Sequence, residues 1–168
     1  YGKIQPEKNL LKYALFVSFF PQLVAGPIER AQNLLPQIQH VAFIKVWEYK
    51  RIRNGFMLMM WGLFQKLVIA DRAAILVNNV VNHYTNFGFV ELATAIILFA
   101  IQIYCDFSGY TNIAIGAARV MGFSFINNFK QPYLAPSIKD FWRRWHVSLT
   151  SWFTDYLYIP LGGNRKGI

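Results

Sequence analysis

The chain has 168 residues, of which 55% are hydrophobic and 17% aromatic. Only 15% are charged, against about 25% in an ordinary soluble domain, so the composition excludes that class and points to a membrane. The charge is lopsided, 17 Lys/Arg against 8 Asp/Glu for a net +9, but the cations stand in short clusters between apolar segments, which fits anionic lipid headgroups and the positive-inside pattern rather than nucleic acid.

Tyr1 to Lys8 is not a basic stretch followed by an apolar core and a cleavage site, so no secretory signal is read there. Residues 1–168 are expected to be an internal section of a longer membrane domain, truncated at both ends. The first apolar block runs from Tyr13 to Ile28 without a charge, interrupted by Pro21 and Gly26-Pro27. It falls short of the ~20 residues a straight spanning helix needs, so a broken or re-entrant helix buried among others is expected. Gly26-Pro27-Ile28-Glu29-Arg30 reads as a polar exit and Leu34-Leu35-Pro36-Gln37 as a short amphipathic connector.

Lys45 to Arg53 carries four basic residues and one Glu, a cytoplasmic flank. Gly55 to Ala70 follows as an apolar helix, interrupted by Gln65-Lys66 and closed by Asp71-Arg72. Residues 73–90 are uncharged but rich in asparagine (Asn78, Asn79, Asn82, Asn86), which predicts a helix end and a surface loop. Leu92 to Cys105 is the cleanest membrane segment, and the lone Cys105 reads as a buried small hydrophobe. The segment runs into Asp106-Phe107-Ser108-Gly109-Tyr110 and resumes its apolar pattern to Gly122. Gly109, Ala114, Gly116, Ala117 and Ala118 would allow close helix packing in lipid. The expected topology has 45–53 inside, 55–70 crossing outward, 91–118 returning and 119–168 at the cytoplasmic face.

The richest stretch is Asp140 to Phe153, with three tryptophans, two arginines and a histidine. It reads as one helix started at Pro136-Ser137, with Asp140 three positions after Ser137 as in a capping box. At about 100° per residue, Trp142, Trp145, Leu149, Trp152 and Tyr156 share an apolar face, and Lys139, Asp140, Arg143 and Arg144 the opposite one. His146 falls on the border beside Trp142 and Thr150, where an imidazole would be half-desolvated yet able to reach a polar ligand. The expected fold class is therefore all-α, a polytopic membrane helical bundle with broken helices and an interfacial amphipathic helix.

Four groups are candidates for chemistry. Asp106 is acidic at membrane depth, where a carboxylate is paired or functional; Lys66 and Arg119 are its in-chain candidate partners, and an ion pair or helix cap is the structural alternative. His146, with Arg143, Arg144 and Ser148 around it, is either a catalytic imidazole or part of an anchoring helix. Gly162-Gly163-Asn164-Arg165 is a tight turn whose backbone N–H groups could face an anion. His40 and His83 read as exposed, and no spacing suggests a metal site.

Four stretches resemble the membrane-bound O-acyltransferase superfamily, closest to its bacterial branch of alginate O-acetylation proteins and teichoic acid D-alanyl transferases. They are Phe19-Phe20-Pro21-Gln22-Leu23-Val24-Ala25-Gly26-Pro27-Ile28, Gln102 to Tyr110, Phe141 to Leu149, and Asp155 to Arg165. The resemblance implies a multi-pass enzyme of the bacterial inner membrane with a passage through the bilayer. It would move an acyl group, acetyl in the first instance, from a cytoplasmic thioester such as acetyl-CoA or an acyl carrier protein to hydroxyls of an exported polysaccharide. It also implies no bound cofactor or metal, and partnership with membrane lipid, a donor or carrier protein and exported acetyltransferases of the same pathway. The principal family histidine lies in a Trp-His-Gly-like segment beyond Ile168, which leaves His146 a supporting role in orienting or polarising the thioester. Trp142 and Trp145 would line or pack the tunnel, and Arg143, Arg144 and Lys139 would meet an anionic carrier or lipid phosphates at its mouth. A transporter segment, with Asp106 and Lys66 marking a polar path, and a lipid-binding scaffold are the competing expectations.

Overall fold

The computed structural model describes residues 7–166, all of whose regular elements are helices. Helix α1 (Leu10–Ser18) starts on Asn9, whose side chain accepts from the amides of Leu11 and Lys12. It stops at Phe19, where the chain turns extended ahead of Pro21 and a short 3-10 turn, Phe20–Gln22. The expected break is present. Helix α2 (Ala31–Gln39) is longer than the connector predicted there, and keeps Pro36 inside while burying Leu34, Leu35 and Ile38. Burial of a leucine such as Leu34 contributes about 1.5–3 kcal/mol, enough to hold a helix that a proline weakens.

Helix α3 (Tyr49–Leu63) passes without interruption through a π-helical segment, Phe64–Ala70, into α4 (Asp71–Asn82). The helix end and surface loop expected over 73–90 are both present, but the helix reaches Asn82 and only 83–88 leave it before α5. Asparagine is a poor helix former, but Ala73 and Val77 lie four apart and bury against the core, while Asn78, Asn79 and Asn82 stay exposed. Helix α5 (Phe89–Val120) is one continuous rod, and among the described residues it is the one helix long and apolar enough to cross a membrane by itself.

Helices α3 and α5 are antiparallel and touch through glycines. A Cβ on Gly62 would come within 2.5 Å of the Gly109 carbonyl oxygen, and one on Gly55 within 2.8 Å of the Gly116 oxygen. The reverse additions, at Gly109 and Gly116, would clash with the Gly62 and Gly55 carbonyls at 2.8 and 2.7 Å. Two glycines seven residues apart on each helix thus bring the backbones together, as small residues do in lipid. Many large apolar side chains on the outer surface, such as Phe56, Met60, Ile96 and Ile97, are exposed, which suits lipid or further helices.

After Gly122 the chain runs without regular structure to Lys130, and Phe19, Leu34, Ile38, Ile115, Ala118, Phe123 and Phe125 form a small core. Helix α6 (Ile138–Arg144) begins on Ser137, whose hydroxyl accepts from the Asp140 amide at 3.2 Å as the capping pattern predicted. It ends at Trp145, and α7 (Val147–Phe153) starts afresh after His146.

Candidate functional site

The single helix expected from Ser137 onward is broken at the histidine itself. His146 sits in the left-handed region at φ 44° and ψ 56°, and Trp145 before it is extended. The cause lies outside the segment. The stretch 128–130 runs alongside the break and pairs with backbone groups on either side of it. The Lys130 amide donates to the Arg144 carbonyl at 3.0 Å, and the Val147 amide to the Asn128 carbonyl at 3.0 Å. The Asn128 side-chain oxygen accepts from the Ser148 amide at 3.1 Å. A third stretch of the chain joins this network, where the Ile28 amide donates to the Ser148 hydroxyl at 3.0 Å.

The break also revises the predicted faces. His146 is only 7% exposed rather than half-desolvated, and Trp142, its expected neighbour, is 52% exposed. The imidazole instead faces the Phe107 ring of α5 at 4.8 Å between centroids and lies 6.5 Å from that of Phe129. Trp145 packs into the same aromatic cluster, edge-on to Phe129 at 5.0 Å and stacked on Phe141 at 5.6 Å. Burial pushes the His146 pKa below the ordinary histidine range, which favours the neutral ring, and its Nδ1 has no hydrogen-bond partner among the described residues. A neutral imidazole in this setting offers one N–H and one lone pair to a reacting group.

The other predicted polar residues have partners of their own or face outward. Asp106 pairs with Lys66 at 2.7 Å, and Lys66 also reaches Asp71 at 2.9 Å. Beside them Gln65 donates to the Ser108 hydroxyl at 3.0 Å and accepts from Asn112 at 2.7 Å, so α5 and the π-helical segment share a polar seam. Arg144 is held by Asp140 at 2.7 Å, while Arg143 is exposed. Asn164 accepts from the Tyr158 hydroxyl. Gly162 and Gly163 do turn at positive φ, and the Arg165 side chain lies outside the described residues. His40 and His83 are exposed as expected, and Cys105 is buried.

Sequence reasoning missed a cavity of about 380 Å³ next to Ser148, lined by Glu29, Arg30, Asn33, Ser151 and Ile126 among others. Glu29 is buried and bonds the Ile126 amide at 2.6 Å and the Asn33 side chain. Arg30 pairs with Asp155 at 2.9 Å and lies over the Tyr156 ring at 4.6 Å. The spacing of Glu29 and Asn33, four apart at the start of α2, was the available signal. Nothing in the sequence marks Arg30 for Asp155.

The model of the membrane-bound O-acyltransferase family matches residues 7–168. The chain is 40% identical over 169 residues to the probable alginate O-acetylase of Pseudomonas putida, covering 99% of this chain and 33% of that protein. It is 42% identical over 157 residues to the peptidoglycan O-acetyltransferase of Helicobacter pylori, covering 94% of this chain and 30% of that protein. It is 28% identical over 166 residues to the teichoic acid D-alanyltransferase of Bacillus subtilis, covering 94% of this chain and 40% of that protein. The chain therefore spans about a third of the length of the first of these relatives.

Proposed function

The chain belongs to the membrane-bound O-acyltransferase family, and from that premise we propose that it is the core section of an enzyme that acylates an exported polysaccharide. The acyl group is acetyl, in keeping with the names of the O-acetylating relatives. It comes from a cytoplasmic thioester, acetyl-CoA or an acyl carrier protein, and goes to sugar hydroxyls on the far side. The whole protein is a multi-pass protein of the bacterial inner membrane, and α5 is one of its crossings with the Tyr49–Asn82 run beside it. Its partners are membrane lipid, the donor carrier and the exported acetyltransferases of its pathway.

The reaction needs the acceptor hydroxyl to lose its proton to a base while its oxygen bonds to the thioester carbonyl carbon. The carbon–sulfur bond then breaks, and the thiolate leaves with the electron pair. The observation that carries the reading is the His146 imidazole, buried and with Nδ1 unpartnered among the described residues, at a helix break built from three separate stretches of chain. Neutral imidazole in an aromatic enclosure suits a supporting role, orienting the thioester or polarising its carbonyl. Trp145 packs the wall, and exposed Arg143 is free to meet an anionic carrier or lipid phosphate.

The test uses the full-length protein in vesicles supplied with labelled acetyl thioester and polysaccharide. Base-labile acetyl ester on the polymer is expected. Passage of a solute across the vesicle with no acylated product would replace the enzyme with a transporter.

A further inference from the structure

His146 occupies the N-cap position of α7 yet contributes no side-chain cap. A residue there ordinarily turns its side chain back onto the amides of the first turn, which is why Ser, Thr, Asp and Asn are favoured. In this chain the amides of Val147 and Ser148 are taken by one residue from elsewhere. Asn128, fully buried at 0% exposure, accepts the first with its carbonyl at 3.0 Å and the second with its side-chain oxygen at 3.1 Å. The imidazole is thereby released from capping duty and faces Phe107 and Phe129.

We propose that Asn128 is a positioning residue for acyl transfer, capping α7 from outside so that the His146 ring is held in the left-handed bend and aimed away from its own helix. The inference rests on the assignment of His146 to the reaction. A left-handed bend at a non-glycine residue costs on the order of 1–3 kcal/mol and persists only where its surroundings over-determine it. The bond from Lys130 to Arg144 and the bond from Val147 to the Asn128 carbonyl are both main chain to main chain, so they survive substitution at 128. The Ser148 bond alone depends on the residue type at 128. Loss of that acceptor would leave a buried amide unpartnered and loosen the histidine by a fraction of an ångström, without removing any group that contacts substrate.

The experiment compares full-length wild type with Asn128→Leu, close in size but lacking the acceptor, and Asn128→Asp, which keeps it. Asn128→Leu is expected to lower kcat by about ten- to a hundredfold with the KM for the acyl thioester unchanged, since small misplacements at a reacting centre cost that much. At matched amounts of inserted protein, Asn128→Asp is expected to recover kcat above that of Asn128→Leu, although a fully buried carboxylate lowers the amount that inserts. Hydrogen exchange on the wild-type protein should find the Ser148 amide among the slowest in α7, a readout that needs no variant to fold. Wild-type kcat in inserted Asn128→Leu, no recovery in Asn128→Asp, or rapid exchange at Ser148 would each overturn the proposal. His146→Ala run in parallel separates the causes. An inactive His146→Ala beside a fully active Asn128→Leu removes only the positioning role, whereas an active His146→Ala removes both.

Discussion

The amide of Ile28 and the hydroxyl of Ser148 meet at 3.0 Å across 120 residues of sequence. That bond joins the Gly-Pro-Ile stretch at the end of the first broken helix to the start of α7, two residues beyond the histidine. Ser148→Ala leaves the Ile28 amide without its acceptor next to a buried site. It should destabilise the fold by about 1–3 kcal/mol. Thermal unfolding of the full-length protein in detergent measures it, and an unchanged Tm would show that the bond contributes nothing.

The glycine contact between α3 and α5 leaves no room for side chains. Gly62→Leu must push the backbones apart or clash with the Gly109 carbonyl, 2.5 Å from the first added carbon. Overpacking costs about 1–3 kcal/mol, so the amount of correctly inserted protein should fall. Gly162→Ala serves as a comparison, because no atom of the described residues lies within 4 Å of its added carbon, although its φ of 112° carries backbone strain. Equal accumulation of Gly62→Leu and wild type would argue against the packing described.

Arg30 and Asp155 should be only weakly coupled despite their 2.9 Å separation, because the aspartate side chain is 49% exposed. Exposed pairs contribute about 0.2–1 kcal/mol. Arg30→Ala should cost more than Asp155→Ala, since the arginine also covers Tyr156. A double-mutant cycle of unfolding free energies separates the two contributions, and equal single-variant losses would contradict the stacking.

His146 makes stability depend on pH in a definite direction. Its folded pKa lies below the unfolded value of about 6.5 because burial penalises the charged ring. The contribution is present above the unfolded value. It declines as pH falls toward the folded one, because the unfolded chain binds the proton first. Wild type should therefore lose more Tm than His146→Phe between pH 7.5 and pH 5. Parallel Tm losses in the two proteins would mean the ring is hydrated in the fold.

Much of this was legible in the sequence because it is local. The α5 rod follows from the apolar run of Leu92 to Cys105 and its resumption past Asp106, the break after α1 from Pro21 and its neighbours, and the start of α6 from Ser137 and Asp140. That Asp106 is paired followed from the cost of a lone charge at membrane depth, but the choice of Lys66 over Arg119 came only with the structure. The errors arise where distant residues override local preference. Asn78, Asn79 and Asn82 suggested an earlier helix end, but burial of Ala73 and Val77 outweighs their weak propensity. The 137–156 pattern suggested one helix, but Asn128 and Lys130 supply partners that make a break at His146 affordable. No periodicity within the helix could reveal bonds contributed by the stretch before it.

The central claim is that the buried imidazole of His146 takes part in acyl transfer, and His146→Ala in the full-length protein tests it most directly. Transfer of labelled acetyl from thioester to polysaccharide is measured at matched amounts of membrane-inserted protein. The account predicts that kcat falls by at least about a hundredfold, the scale on which a positioned acid–base or polarising group acts. Acetylation at the wild-type rate would contradict it and leave the histidine a packing residue of the aromatic cluster.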